Sequence, residues 1–167
     1  RDALKTQTVG VRNIGIGTDA LQSNTSGDDN VALGYQALTT LTVGTENVAI
    51  GNYALFQTNG VSGNTAVGSQ ALYSNAGNNN SGFGYRALIA NTSGIENVAL
   101  GVNALETATS SEGNTAVGSY ALKNFRDSLS LDFSRGRNTA IGYEALAGSS
   151  NFYGIRNTGV GFETGFN

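Results

Sequence analysis

The stretch Asn30-Val31-Ala32-Leu33-Gly34-Tyr35-Gln36-Ala37-Leu38 returns as Asn47-Val48-Ala49-Ile50-Gly51-Asn52-Tyr53-Ala54-Leu55, 17 residues further on. Outward from this pair the same phrase, Asn, β-branched, Ala or Gly, large apolar, Gly, is anchored at Asn13, Asn30, Asn47, Asn64, Asn80, Asn97, Asn114, Asn138 and Asn157. The intervals are 17, 17, 17, 16, 17, 17, 24 and 19 residues. A fixed short period means one supersecondary unit stacked on copies of itself. Ala3-Leu4 stands 17 residues before Ala20-Leu21, so the repeat runs from end to end and residues 1–167 read as a single solenoid domain.

Each slot of the repeat has its own chemistry. The residue after Asn is β-branched in eight of nine copies, from Ile14 to Thr158 with Ser81 the exception, which is strand chemistry. The next slot holds only Ala or Gly, and the third holds Ile, Leu, Val or Phe. The fourth is always Gly: Gly17, Gly34, Gly51, Gly68, Gly84, Gly101, Gly118, Gly142 and Gly161. Side chains alternate along a strand, so the first and third slots share one face and the small slot looks the other way. A constant small residue implies that another backbone packs closely there, from the same coil or from a neighbouring subunit. Ala32, Ala49, Ala66, Ala99, Ala116 and Ala140 are accordingly candidate subunit-interface residues.

The Ala-Leu pair consists of good helix formers, which predicts a single helical or 3₁₀ turn pointing Leu inward beside the third-slot residue. Leu38, Leu55, Leu72, Leu88, Leu105, Leu122 and Leu146 then stack as a spine. Segments such as Ser23-Asn24-Thr25-Ser26-Gly27 supply turns. The expected fold is all-β: a repetitive β-solenoid, or parallel β-roll, of about ten coils of ~17 residues, each a strand, a short helical bend and a turn. The anchor asparagines stand at a corner where an amide ladder can form.

The 24-residue interval contains an insertion at about 123–134. Its segment Ser128 to Phe133 alternates polar and apolar residues, as a short strand or stiff loop does. Phe125, Leu129, Leu131 and Phe133 either fold back over the solenoid or contact an adjacent subunit. The last copy replaces Ala-Leu with Thr164-Gly165, and the chain opens in mid-repeat on Arg1. Uncapped solenoid ends invite the next molecule to continue the stack, unless the caps belong to parts of a longer protein.

Composition narrows the chemistry. With 24 Gly and no Pro, Cys, Met, Trp or His, the chain has no thiolate and no imidazole, which removes most hydrolase and zinc arrangements. The net charge of −3 is scattered and forms no basic stripe for nucleic acid. No apolar run reaches the roughly 20 residues a membrane span needs. Low charge and few oxidisable side chains suit an extracellular location. Gly15-Ile16-Gly17-Thr18-Asp19-Ala20 satisfies a loose dinucleotide pattern, but it recurs in phase at Gly82 without a βαβ unit, so no cofactor is expected. Asp28, Asp29, Glu46 and Glu96 precede anchors without forming a continuous carboxylate ladder. Asn24, Asn79 and Asn91 match glycosylation acceptor patterns. Tyr35, Tyr53, Tyr85, Tyr120 and Tyr143 lie near the bend, as packing residues or as a strip for sugars.

Asn47-Val48-Ala49-Ile50-Gly51 and Asn114-Thr115-Ala116-Val117-Gly118 resemble the head repeats of trimeric autotransporter adhesins, and the longer unit from Gly63 to Asn75 resembles repeats of bacteriophage tail fibres. The resemblance implies a parallel β-roll that associates with itself, commonly as a trimer, and serves as a fibre shaft or adhesive surface. The expected function is therefore non-enzymatic: an extracellular fibre or filament built by homo-oligomeric packing, as a trimer or a head-to-tail filament, with a cell-surface receptor or glycan as a further partner. The alternative is a ligand-binding solenoid, glycan-binding or ice-binding. The Thr/Val column from Ile14 to Thr158 supports that alternative, although its apolar companion two residues on reads as a buried face.

Overall fold

A computed structural model describes residues 2–125, 136–148 and 154–165. Nine three-residue strands, β1 (Ile14–Ile16), β2 (Val31–Leu33), β3 (Val48–Ile50), β4 (Thr65–Val67), β5 (Ser81–Phe83), β6 (Val98–Leu100), β7 (Thr115–Val117), β8 (Thr139–Ile141) and β9 (Thr158–Val160), form one sheet in sequence order. Every pairing is parallel and in phase with the repeat, so Val31 stands opposite Val48 and Ala32 opposite Ala49. The phase holds across the long interval, where Ala116 still faces Ala140. This is a parallel β-solenoid. Eight full turns separate its nine strands, fewer than the ten coils expected, and at about 4.8 Å per coil the stack of strands is about 38 Å long.

The helical bend is corrected by the structure: among the described residues there is no helix. After the glycine the chain takes a four-residue turn in which the second and fourth residues have positive φ, as at Gln36 (54°) and Leu38 (52°). Helix propensity loses here to bonding between coils. The Gln36 N–H donates back to Thr18 O at 2.9 Å while the Leu38 N–H donates forward to Ala54 O at 3.1 Å, so alternate amides bond to opposite neighbours. A left-handed Leu costs roughly 1–2 kcal/mol. Full burial of its side chain, together with the intercoil bond, offsets that. Leu21, Leu38, Leu55, Leu72, Leu88, Leu105 and Leu122 are all fully buried and, with the alanines, form the core.

The invariant glycine has a steric cause. Gly101 has φ 141°, and a Cβ there would lie 2.5 Å from the carbonyl carbon and oxygen of Gly118. The same backbone-on-backbone contact repeats along the column as far as Gly142 against Gly161.

Candidate interface and supporting ladders

The anchor asparagines form the expected ladder, and its geometry is directional. Each Oδ1 accepts the backbone N–H of the next anchor, from Asn30 to Asn13 (2.9 Å) through Asn157 to Asn138 (3.0 Å). In most rungs the same Oδ1 also accepts from the next Nδ2, as Asn97 Oδ1 does from Asn114 Nδ2 at 2.9 Å. The remaining Nδ2 proton caps a turn carbonyl, for example Asn97 to Ser111 O at 2.8 Å. The rung that departs is the one crossed by the 16-residue interval, where Asn80 Nδ2 turns to Asn75 Oδ1 at 3.3 Å. Anchors Asn30 through Asn138 are fully buried. A buried amide needs every partner, and this arrangement supplies them.

A second buried amide corner, at Asn24, Asn75 and Asn91, is not evident in the repeat phrase. Asn24 closes its turn with both amide atoms on Gly27, accepting from N–H at 2.9 Å and donating to O at 3.0 Å. Asn91 does the same with Gly94 and also donates to Asn75 Oδ1 at 2.7 Å. The column holds Leu41, Thr58, Ala108 and Phe125 in other coils, so only spacing to a following glycine could have revealed it. The glycosylation reading of Asn24 and Asn91 is overturned, because both are wholly inside the coil. Asn79 is exposed.

The alanine column is also corrected. Ala32, Ala49, Ala66, Ala99, Ala116 and Ala140 have no exposed surface in the isolated chain, so none can touch a subunit. The backbone that demands small residues belongs to the same chain: a Cβ placed on Gly82 sits 3.4 Å from Leu72 Cδ1 and 3.4 Å from Ala87 O. Ala just fits between the strand and the leucine spine, and anything larger collides. Phe125 is likewise buried, at 1% exposure, and is core rather than interface. Leu129, Leu131 and Phe133 lie outside the described residues.

Burying the middle slot turns the other two outward. Ile14, Ile16, Leu33, Phe83, Val98, Leu100, Ile141 and Val160 are exposed, up to 63% for Val160. Between them stand half-buried Val31, Val48, Ile50, Thr65, Val67, Thr115, Val117 and Thr139. The third-slot residue therefore does not join the leucine spine inside. The two columns contain no charged side chain. They form a continuous apolar and threonine-bearing face about 38 Å long and about 10 Å wide, on the order of 400 Å² in projection.

The remaining polar features are local. Arg12 Nη2 donates to Asp29 Oδ2 at 2.7 Å, and this hydrogen bond holds the Asp29 carboxyl below its ordinary value. Glu106 lies between Arg86 (3.3 Å) and Lys123 (3.9 Å). The Tyr35 phenol donates a hydrogen bond to Tyr53 and the Tyr143 phenol donates one to Glu144, and each bond raises its donor above the usual phenol value. Among the described residues no group of three acidic side chains is placed to hold a metal ion, and no helix is long and apolar enough to cross a membrane. Comparison with family models, with curated proteins and with solved structures finds no match to this chain.

Proposed function

We propose that this chain is a non-enzymatic structural unit that builds an extracellular fibre or filament by homo-oligomeric packing of β-solenoids through the outward strand face. The observation that carries the reading is the outward facing of two columns of Val, Ile, Leu, Phe and Thr, exposed or half-buried and broken once by Ser81, along all nine strands. A patch on the order of 400 Å² is the size of the largest apolar patch on a typical monomer, which is often functional. A second copy suits it better than an unrelated partner. Its side-chain ridges repeat at the same axial spacing of about 4.8 Å, so the two faces can interdigitate coil after coil. The extracellular setting is supported by the absence of Cys, Met and Trp and by the resemblance to adhesin heads and tail fibres.

The test is the mass of the native chain in solution, by light scattering after size exclusion, beside the triple variant L33Q/L100Q/I141Q. The expected result is a native oligomer and a variant monomer with an unchanged far-UV circular dichroism spectrum. A native monomer at every concentration, or an oligomer that survives the three glutamines, overturns the proposal. Electron microscopy of the native chain then separates short rods, a closed oligomer, from long filaments.

One observation favours a second reading. Thr65, Thr115, Thr139 and Thr158 lie in the outward column, not on a buried face, as an ordered ligand-binding surface requires. Freezing hysteresis from a monomeric sample would select that reading over self-association.

A further inference from the structure

The chain carries nine Lys or Arg and twelve Asp or Glu, yet between Asn30 and Tyr85 the one charged residue is Glu46. Glu46 stands beside the Asn47 corner, ahead of β3, whereas the bend follows that strand. The bends of the coils that carry β2, β3 and β4 are therefore free of charge. There four rings gather: Tyr35 edge-on to Tyr53 at 5.2 Å, Tyr53 edge-on to Phe56 at 5.4 Å, and Phe56 stacked on Tyr73 at 5.1 Å. Tyr35 remains 41% exposed and the other three are half-buried, so the cluster is open to solvent. Uncharged amides lie in the same turns, Gln36, Asn52 and Gln70, and Gln57 follows Phe56. Asn52 Oδ1 accepts from the Tyr35 N–H at 3.3 Å, and Gln57 Oε1 from Ser74 Oγ at 3.2 Å, which ties two of the amides to neighbouring coils.

A second aromatic cluster provides the contrast. Tyr120, Tyr143 and Phe162 also pack in sequence, at 5.8 and 5.5 Å. There Lys123 lies 4.8 Å over the Tyr120 ring, and Glu144 and Glu163 sit in the same turns. That cluster engages both a cation and carboxylates, whereas the charge that reaches the first is the Asp19 carboxylate of the preceding bend, whose Oδ2 accepts from Gln36 Nε2 at 3.4 Å.

The geometry points to the Tyr35, Tyr53, Phe56 and Tyr73 cluster as a binding site for a neutral oligosaccharide. Ring faces supply apolar platforms for sugar C–H groups, and amides and phenols supply donors and acceptors for hydroxyls. The lack of Lys and Arg in these bends, with the Asp19 carboxylate at their edge, argues against phosphate, nucleic acid and acidic glycans, which require cations. Several coils side by side at about 4.8 Å spacing give a strip longer than one sugar ring, so a chain of sugars fits better than a monosaccharide. The site lies across the glycine corner from the strand face.

The experiment uses the native chain. Because it has no Trp, its seven Tyr dominate the intrinsic emission, which reports directly on the rings. Neutral gluco-, manno- and chito-oligosaccharides and one sialylated oligosaccharide are titrated at millimolar concentration into the native protein and into Y35L, Y73L and Y143L, with circular dichroism confirming that each variant folds. The expected result is saturable binding of at least one neutral series, weakened about tenfold in Y35L and Y73L and unchanged in Y143L. No binding by any neutral series, binding of the sialylated probe alone, or equal weakening in Y143L overturns the assignment.

Discussion

Replacing Asn97 with Ala removes one rung from the middle of the amide ladder. Asn97 is fully buried. Its Nδ2 donates to Asn80 Oδ1 at 3.1 Å and Ser111 O at 2.8 Å, and its Oδ1 accepts from Asn114 N–H at 3.0 Å and Asn114 Nδ2 at 2.9 Å. Asn80 Oδ1 keeps a partner, the Asn97 N–H at 3.0 Å, but the other three groups lose theirs in a dry interior. At about 1–1.5 kcal/mol per lost bond, with the orphaned groups near the upper end, the expected cost is about 4–6 kcal/mol. The control is Asn157→Ala. That residue is half-buried and its ladder contacts in the structure run to Asn138 at 3.0 Å, so its loss costs less than half as much. Urea unfolding followed by far-UV circular dichroism measures both. A solenoid is a one-dimensional chain of neighbour contacts, so a break at its middle also divides the transition, and N97A unfolds in two steps. Equal losses below about 1 kcal/mol for the two variants would refute the view that the ladder holds the stack together.

Further outcomes follow from single positions. Gly101→Ala pushes a Cβ to within 2.5 Å of the Gly118 carbonyl and costs about 3 kcal/mol or more, whereas Gly60→Ala, whose nearest neighbour is Val43 Cγ2 at 3.9 Å, costs only the left-handed strain of about 1–2 kcal/mol; thermal unfolding compares them. Leu88→Ala opens a cavity in the spine and costs about 2–5 kcal/mol by the same measurement, while the outward Leu100→Ala lowers monomer stability far less. Because Arg12 lowers the Asp29 carboxyl, the pair stabilises the fold above the ordinary carboxylate range and loses that contribution as pH falls through the folded-state value. A pH series of melting curves for the native chain and R12Q should therefore converge in acid and separate slightly at neutrality, with the gap narrowing in salt.

The period, the strand positions and the amide corner were all legible in the residues, because a stacked coil imposes the same steric and hydrogen-bonding demand on every copy. Glycine at Gly101 and asparagine at Asn97 recur in phase since no other residue meets the demand. In-phase pairing across the 24-residue interval follows from the same signal. The bend was misread because Ala-Leu propensity is local, whereas the hydrogen bonds of Leu38 reach Ala54 in another coil.

The facing of the strand was decided by tertiary structure alone. Alternation in Val98-Ala99-Leu100 shows that two side chains share a face and one opposes them, and it is silent on which face is inside. A large apolar pair would ordinarily be assigned to the interior. Here the leucine spine already fills the coil, a Cβ at Gly82 stands 3.4 Å from it and one at Gly15 3.0 Å, and only Ala or Gly can enter, so the larger pair is turned to solvent. The sequence by itself determined the repeat and its ladder. The volume left inside a narrow coil decided which surface remains for a partner.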